Sequence, residues 1–115
     1  EIFIGVKGED FYREINLSPS QAWQAYQFEE YRYPEVVPPE VAVDIELNHL
    51  KRTHYGLNVS IDLTEFMLKH QLKWSDIFVG LTAVLNTSKG QKYFAMQHSS
   101  PQADFHNKRD WLHVF

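Results

Sequence analysis

Hydrophobic and polar residues alternate with a period of two through much of this chain, the spacing of strands half-buried against a core. Residues 1–6 and 11–17 alternate on either side of Lys7-Gly8-Glu9-Asp10, which predicts a hairpin. In its second strand Phe11, Arg13, Ile15 and Leu17 share one face, and Tyr12, Glu14 and Asn16 share the other. Ser18-Pro19-Ser20 breaks that strand. Residues 22–29 fit either a helix or a strand by period, and their aromatic content favours a strand. Alternation places Tyr26 and Phe28 on one of its faces and Trp23 on the other; with Tyr31 and Tyr33 these rings are expected mostly in the core. Three of the five prolines fall in 33–40, which predicts an extended loop.

Val41, Val43, Ile45 and Leu47 alternate, as do Leu57, Val59 and Ile61, so 41–50 and 56–62 predict a second hairpin. The period then changes. Leu63, Phe66 and Met67 form a helical stripe within 63–70, with Asp62 or Thr64 as its cap. Residues 77–86 predict a strong strand, 87–90 a tight turn and 91–98 a strand pairing back, with this hairpin at the sheet centre. Residues 109–115 predict the last strand. Short strands, frequent turns and one brief helix imply an all-β fold, an antiparallel β-sandwich of jelly-roll or immunoglobulin-like kind, in a single domain over 1–115.

Composition narrows the function classes. Hydrophobic residues make up 43% of the chain, enough for a packed core and too many for a disordered one. A formal charge of −4, with acids and bases mixed, argues against nucleic-acid binding, because phosphate contacts need a basic surface. No apolar run reaches the roughly 20 residues of a membrane span. The chain has no cysteine, which excludes disulfides and thiolate metal sites. That absence, and the lack of a visible signal peptide, favour a cytoplasmic setting. Glu1 falls inside a predicted strand, so further strands are expected upstream of it. A chain lacking them is expected to recruit another, as a homodimer or through the N-terminal piece itself.

Candidate chemistry concentrates in residues 91–111, where an aromatic strand runs into His98, a Ser/Pro loop, Asp104-Phe105-His106 and Trp111. His98, Asp104 and His106 fit two roles. They can tie down the intervening loop by hydrogen bonds, the favoured reading, or supply ligands for a divalent metal. Catalysis finds little support: there is no thiol nucleophile, no G-x-S-x-G turn and no glycine-rich phosphate loop.

The strings EIFIG, YREINLSPSQAWQAYQFEEYR, GLTAVL, KYFAMQH and ADFH resemble the DOMON-like family, bacterial β-sandwich domains related to family-9 carbohydrate-binding modules and to haem-binding redox domains. The similarity spans the chain and about the last two-thirds of a typical member. It implies a non-catalytic domain for a small polar ligand, with carbohydrate leading. By that resemblance Glu1 stands at an acidic ligand position, Arg13 near a ligand-contacting arginine, and Trp111 is a candidate aromatic wall, with Asn16 beside them. The redox relatives imply a different cofactor. Met96 and a histidine (His98, His49 or His113) would then hold haem, a role that core packing of Met96 opposes. A third reading is a structural domain that binds a partner protein.

Overall fold

The computed structural model describes residues 1–54, 56–87, 89–95 and 106–114. Within them the elements are β1 (Ile2–Val6), β2 (Tyr12–Leu17), β3 (Trp23–Phe28), β4 (Glu46–Thr53), β5 (Gly56–Asp62), α1 (Thr64–Lys69), β6 (Ile77–Thr87), β7 (Gly90–Ala95) and β8 (His113–Val114). The fold is all-β and sandwich-like, as the alternation predicts. One antiparallel sheet has the order β3-β2-β1-β6-β7, with β8 beside β6, and β4 and β5 form a separate two-stranded sheet.

Register sends the two faces of the main sheet to two different cores. Ile4 lies opposite Arg13 and Val79, and Ile15 opposite Ile2 and Ala25. Their face carries the aliphatic core of Ile4, Val6, Ile15, Ala25 and Ile77. It is covered by Leu47 of β4, Ile61 of β5 and the fully buried Phe66 of α1. The opposite face carries Phe3, Tyr12 and Phe28, roofed by Trp111 from the C-terminal segment. Both sides of β1 and β2 are therefore buried, and each side chain is committed to one layer.

The helix forms where the period predicts, with Leu63 and Phe66 buried. Asp62 Oδ1 accepts from the Thr64 N–H at 2.8 Å and satisfies one free donor of the first turn.

Four expectations need correction. Residues 41–45 are not part of β4: Val43 is 77% exposed, while Ala42, Asp44 and Ile45 are buried. Arg13 draws the Asp44 carboxylate inward, and that ion pair reverses the phase set by the valines. Residues 109–112 are not a strand; a 3-10 turn at Lys108–Asp110 precedes Trp111, and of the described residues in this stretch only His113–Val114 pair with β6. That turn is held by Asn107 Oδ1, which accepts from the Arg109 N–H. The 77–86 and 91–98 hairpin forms as an antiparallel pair, but β6 is the inner strand and β7 ends the sheet order, and β7 is described only to Ala95. Of the aromatic series, Phe28 is buried and Tyr26 half-buried, whereas Trp23, Tyr31 and Tyr33 are exposed. The last two lie on the loop after β3, beyond reach of either core. Among the described residues no helix is long and apolar enough to cross a membrane.

Candidate functional site

Pairing across four strands builds a ladder of side chains on the aromatic face. At the end nearest Glu1 the row is polar. Gln24 pairs with Asn16, Glu1 comes level with Asn16 one residue beyond the Ile2–Ile15 pair, and Glu1 exchanges backbone hydrogen bonds with Thr82 at 2.8 and 3.0 Å. The next row is Tyr26, Glu14, Phe3 and Gly80, and the third is Phe28, Tyr12, Gly5 and Phe78. Alternation within β1 and β2 thus sets a band of hydrogen-bonding groups against an aromatic floor. Asn16 Oδ1 is buried with no hydrogen-bond partner among the described residues. Glu1, Asn16 and Thr82 also edge a depression of about 470 Å³ whose apolar wall includes Ile2, Leu17 and Leu81.

Glu14 sits at the root of this band and is 6% exposed. Burial, and then the neighbouring Glu1 carboxylate, push its carboxyl up to about 7. A hydrogen-bond chain approaches it from the other side. Tyr12 Oη accepts from the Arg32 N–H at 3.0 Å and lies 2.7 Å from His106 Nδ1. Tyr12 Oη and His106 Nδ1 share one hydrogen, and which of them donates is set by the imidazole tautomer. Nε2 lies 3.5 Å from Glu14 Oε1. Burial pushes the Tyr12 hydroxyl up to about 12, so it stays protonated at neutral pH. The His106 ring packs edge-on against Phe3 and Phe28, with centroids 5.0 and 5.1 Å apart. His106 is therefore hydrogen-bonded to Tyr12 of β2 and largely enclosed. His98 and Asp104, expected with it to tie the loop, lie outside the described residues.

This geometry sets a pH dependence. A carboxyl whose folded value lies above its unfolded value of 4.5 stabilises the fold most below 4.5, and that contribution disappears as pH rises through about 7. Stability measured by urea unfolding should fall across this window, by at most about 3 kcal/mol from this group. Glu14→Gln should flatten that fall; an unchanged profile in the variant would assign it to other groups.

Trp111 is 4% exposed and stacks on Phe3 at 5.1 Å between centroids, with an interplanar angle of 20°. It is a roof over the floor, closed to solvent, and does not stand as an open aromatic wall. Lys108 secures the same segment, since its Nζ donates to the carbonyl oxygens of Glu9 and Asp10 at 2.7 and 2.9 Å.

Arg13 is not brought to Glu1, Asn16 and Trp111. Strand alternation turns it to the aliphatic face, where its Nε and Nη2 donate to the two oxygens of Asp44 at 3.0 and 2.8 Å. Its guanidinium lies 4.9 Å from the centre of the Phe66 ring. Burial alone would raise the Asp44 carboxyl, but the hydrogen bonds and charge of Arg13, with Lys69 3.6 Å away, hold it below its ordinary value. Sequence reasoning missed Glu14, Gln24, Thr82 and Asp44. Glu14 was legible as a face-mate of Asn16, Thr82 only through strand pairing, and Asp44 by no local signal, since it is 31 residues from Arg13.

A wider depression of about 580 Å³ lies beside α1, lined by Asp44, Glu46, Asp62, Glu65 and Lys69 among others. Two of its carboxylates are already engaged, Asp44 by Arg13 and Asp62 by the Thr64 N–H, and none of its described lining is aromatic. Among the described residues no group of three or more His, Asp or Glu side chains is arranged to hold a metal ion. Met96, the haem ligand of the redox alternative, lies outside the described residues, and His49 and His113 are exposed on β4 and β8.

In comparisons with known proteins no family model matches this chain, and no curated protein or solved structure matches it either.

Proposed function

We propose that this chain is a non-catalytic domain that binds a small polar ligand, with carbohydrate the leading class, along the row Gln24, Asn16, Glu1 and Thr82. The observation that carries the reading is that row itself. Carboxylate, carboxamide and hydroxyl groups from four strands converge on one half-exposed band, and Asn16 Oδ1 lies within it without a partner among the described residues. Planar carboxylates and amides suit paired sugar hydroxyls, and buried polar atoms need such partners. The resemblance to the DOMON-like family points the same way and remains part of the proposal. Fold alone does not fix function, so the weight rests on the side chains.

A thermal-shift screen against mono- and disaccharides tests this. A ligand present at a hundred times its dissociation constant should stabilise the protein by about 2.7 kcal/mol. Asn16→Ala should abolish that shift while leaving the unliganded midpoint nearly unchanged. No shift with any sugar would remove carbohydrate as the ligand class.

A further inference from the structure

The two outer edges of the β4–β5 sheet are built differently. β4 shifts register between Leu47 and His49, and it carries Lys51 and Arg52. A bulge and basic side chains both blunt an edge against pairing with another strand. β5 pairs only with β4 among the described residues, and its register along β4 runs without a shift from Gly56 to Ser60. From Gly56 to Ile61 it holds neither a charged residue nor a proline. Its free edge therefore keeps a row of backbone N–H and C=O groups open to a further strand.

Strict alternation gives this edge a two-fold pattern. Leu57, Val59 and Ile61 are half-buried on one face, where Ile61 packs on the aliphatic core, and Asn58 and Ser60 are exposed on the other. A second β5 laid antiparallel about Val59 sets Leu57 opposite the partner's Ile61, Asn58 opposite the partner's Ser60, and Val59 opposite the partner's Val59. A slip of one residue would set apolar side chains against polar ones along the whole row. The charges agree with this direction. Glu46 pairs with Asp62 at one end of the hairpin, and Lys51 and Arg52 lie near the Thr53–Gly56 pair at the other. Antiparallel docking brings each acidic end beside the partner's basic end. We propose that β5 is a self-pairing edge, through which two copies of this chain join into a continuous β4-β5-β5-β4 sheet. The contact is isologous. It consumes both β5 edges and turns only the blunted β4 edges outward, so assembly stops at the dimer.

Sedimentation velocity over a concentration series tests this. The expected mass is twice the 13.6 kDa of the chain at high concentration, falling to that of one chain on dilution. Val59→Lys sets two ammonium groups face to face on the two-fold axis and should leave only the monomer. Arg52→Glu, an exposed change that touches neither core, should weaken association at low salt. A cysteine trap then locates the contact, since the chain has no cysteine of its own. Residues directly opposite in an antiparallel pair have Cα atoms about 4.5–5.5 Å apart, within disulfide reach. Val59→Cys should therefore give a disulfide-linked dimer on mild oxidation, well ahead of Lys51→Cys on β4. A chain that sediments as a monomer throughout overturns the proposal. So does a dimer in which Lys51→Cys links as readily as Val59→Cys.

Discussion

Arg13→Ala is expected to destabilise the fold by about 3–5 kcal/mol, because it leaves a buried carboxylate without its partner. Asp44 is 2% exposed and both of its oxygens accept from Arg13; Lys69, 3.6 Å away and half-exposed, makes up only part of what is lost. The guanidinium also donates to the Tyr12 carbonyl at 3.2 Å and packs on Phe66, and both contacts go with it. A domain of this size has a total stability of about 5–15 kcal/mol, so the variant should stand near its unfolding midpoint in modest urea. Arg13→Lys should recover only part of the loss, since an ammonium cannot make the two-pronged contact. The double replacement Arg13→Met with Asp44→Leu should cost much less than either single change, because no charge is left buried. Urea unfolding of the parent, these variants and the two single replacements decides the matter. A single variant that loses sugar binding but keeps full stability would return Arg13 to the ligand.

Gly80→Ala is expected to cost about 1–3 kcal/mol through overpacking against Trp111. A β-carbon at position 80 would stand 2.3 Å from Trp111 Cδ1 and 2.6 Å from Cγ, so the indole must move. It has little room to do so. It stacks on Phe3, meets Tyr12 edge-on at 5.3 Å between centroids and leans on Phe78 at 5.6 Å. Gly5 is the second relief in the same floor, since a β-carbon there would meet the Phe78 ring at 2.6 Å and Trp111 at 3.0 Å. A double-mutant cycle isolates the contact. Trp111→Ala alone should cost about 3–5 kcal/mol, and in that background Gly80→Ala should be neutral or stabilising. A full penalty from Gly80→Ala without the indole would place the cost in the backbone of β6. Near-UV circular dichroism gives an independent readout, because a displaced Trp111 loses its fixed aromatic surroundings.

The amino-acid sequence by itself determined most of the strands and the helix. Their signals are local: a period of two along 2–6, 12–17 and 77–87, and helical spacing at Leu63, Phe66 and Met67 within α1. It also sorted Tyr12, Glu14 and Asn16 onto one face and Arg13 and Ile15 onto the other, because alternation is a property of the backbone. What it could not determine was which face meets which partner. The family resemblance grouped Arg13 with Asn16 although alternation already sets them on opposite faces, and only the fold shows Asp44 capturing Arg13 from a segment whose own pattern pointed its valines inward. Trp111 read as an open aromatic wall. Only the tertiary structure showed two glycines on different strands, Gly5 and Gly80, leaving a hollow that closes over its ring. The Tyr12–His106 hydrogen bond joins residues 94 apart, and the row of Gln24, Asn16, Glu1 and Thr82 takes one side chain from each of four strand lines. Such constellations arise from register between distant segments. Register is fixed by the summed burial of whole faces and leaves no mark at any single position.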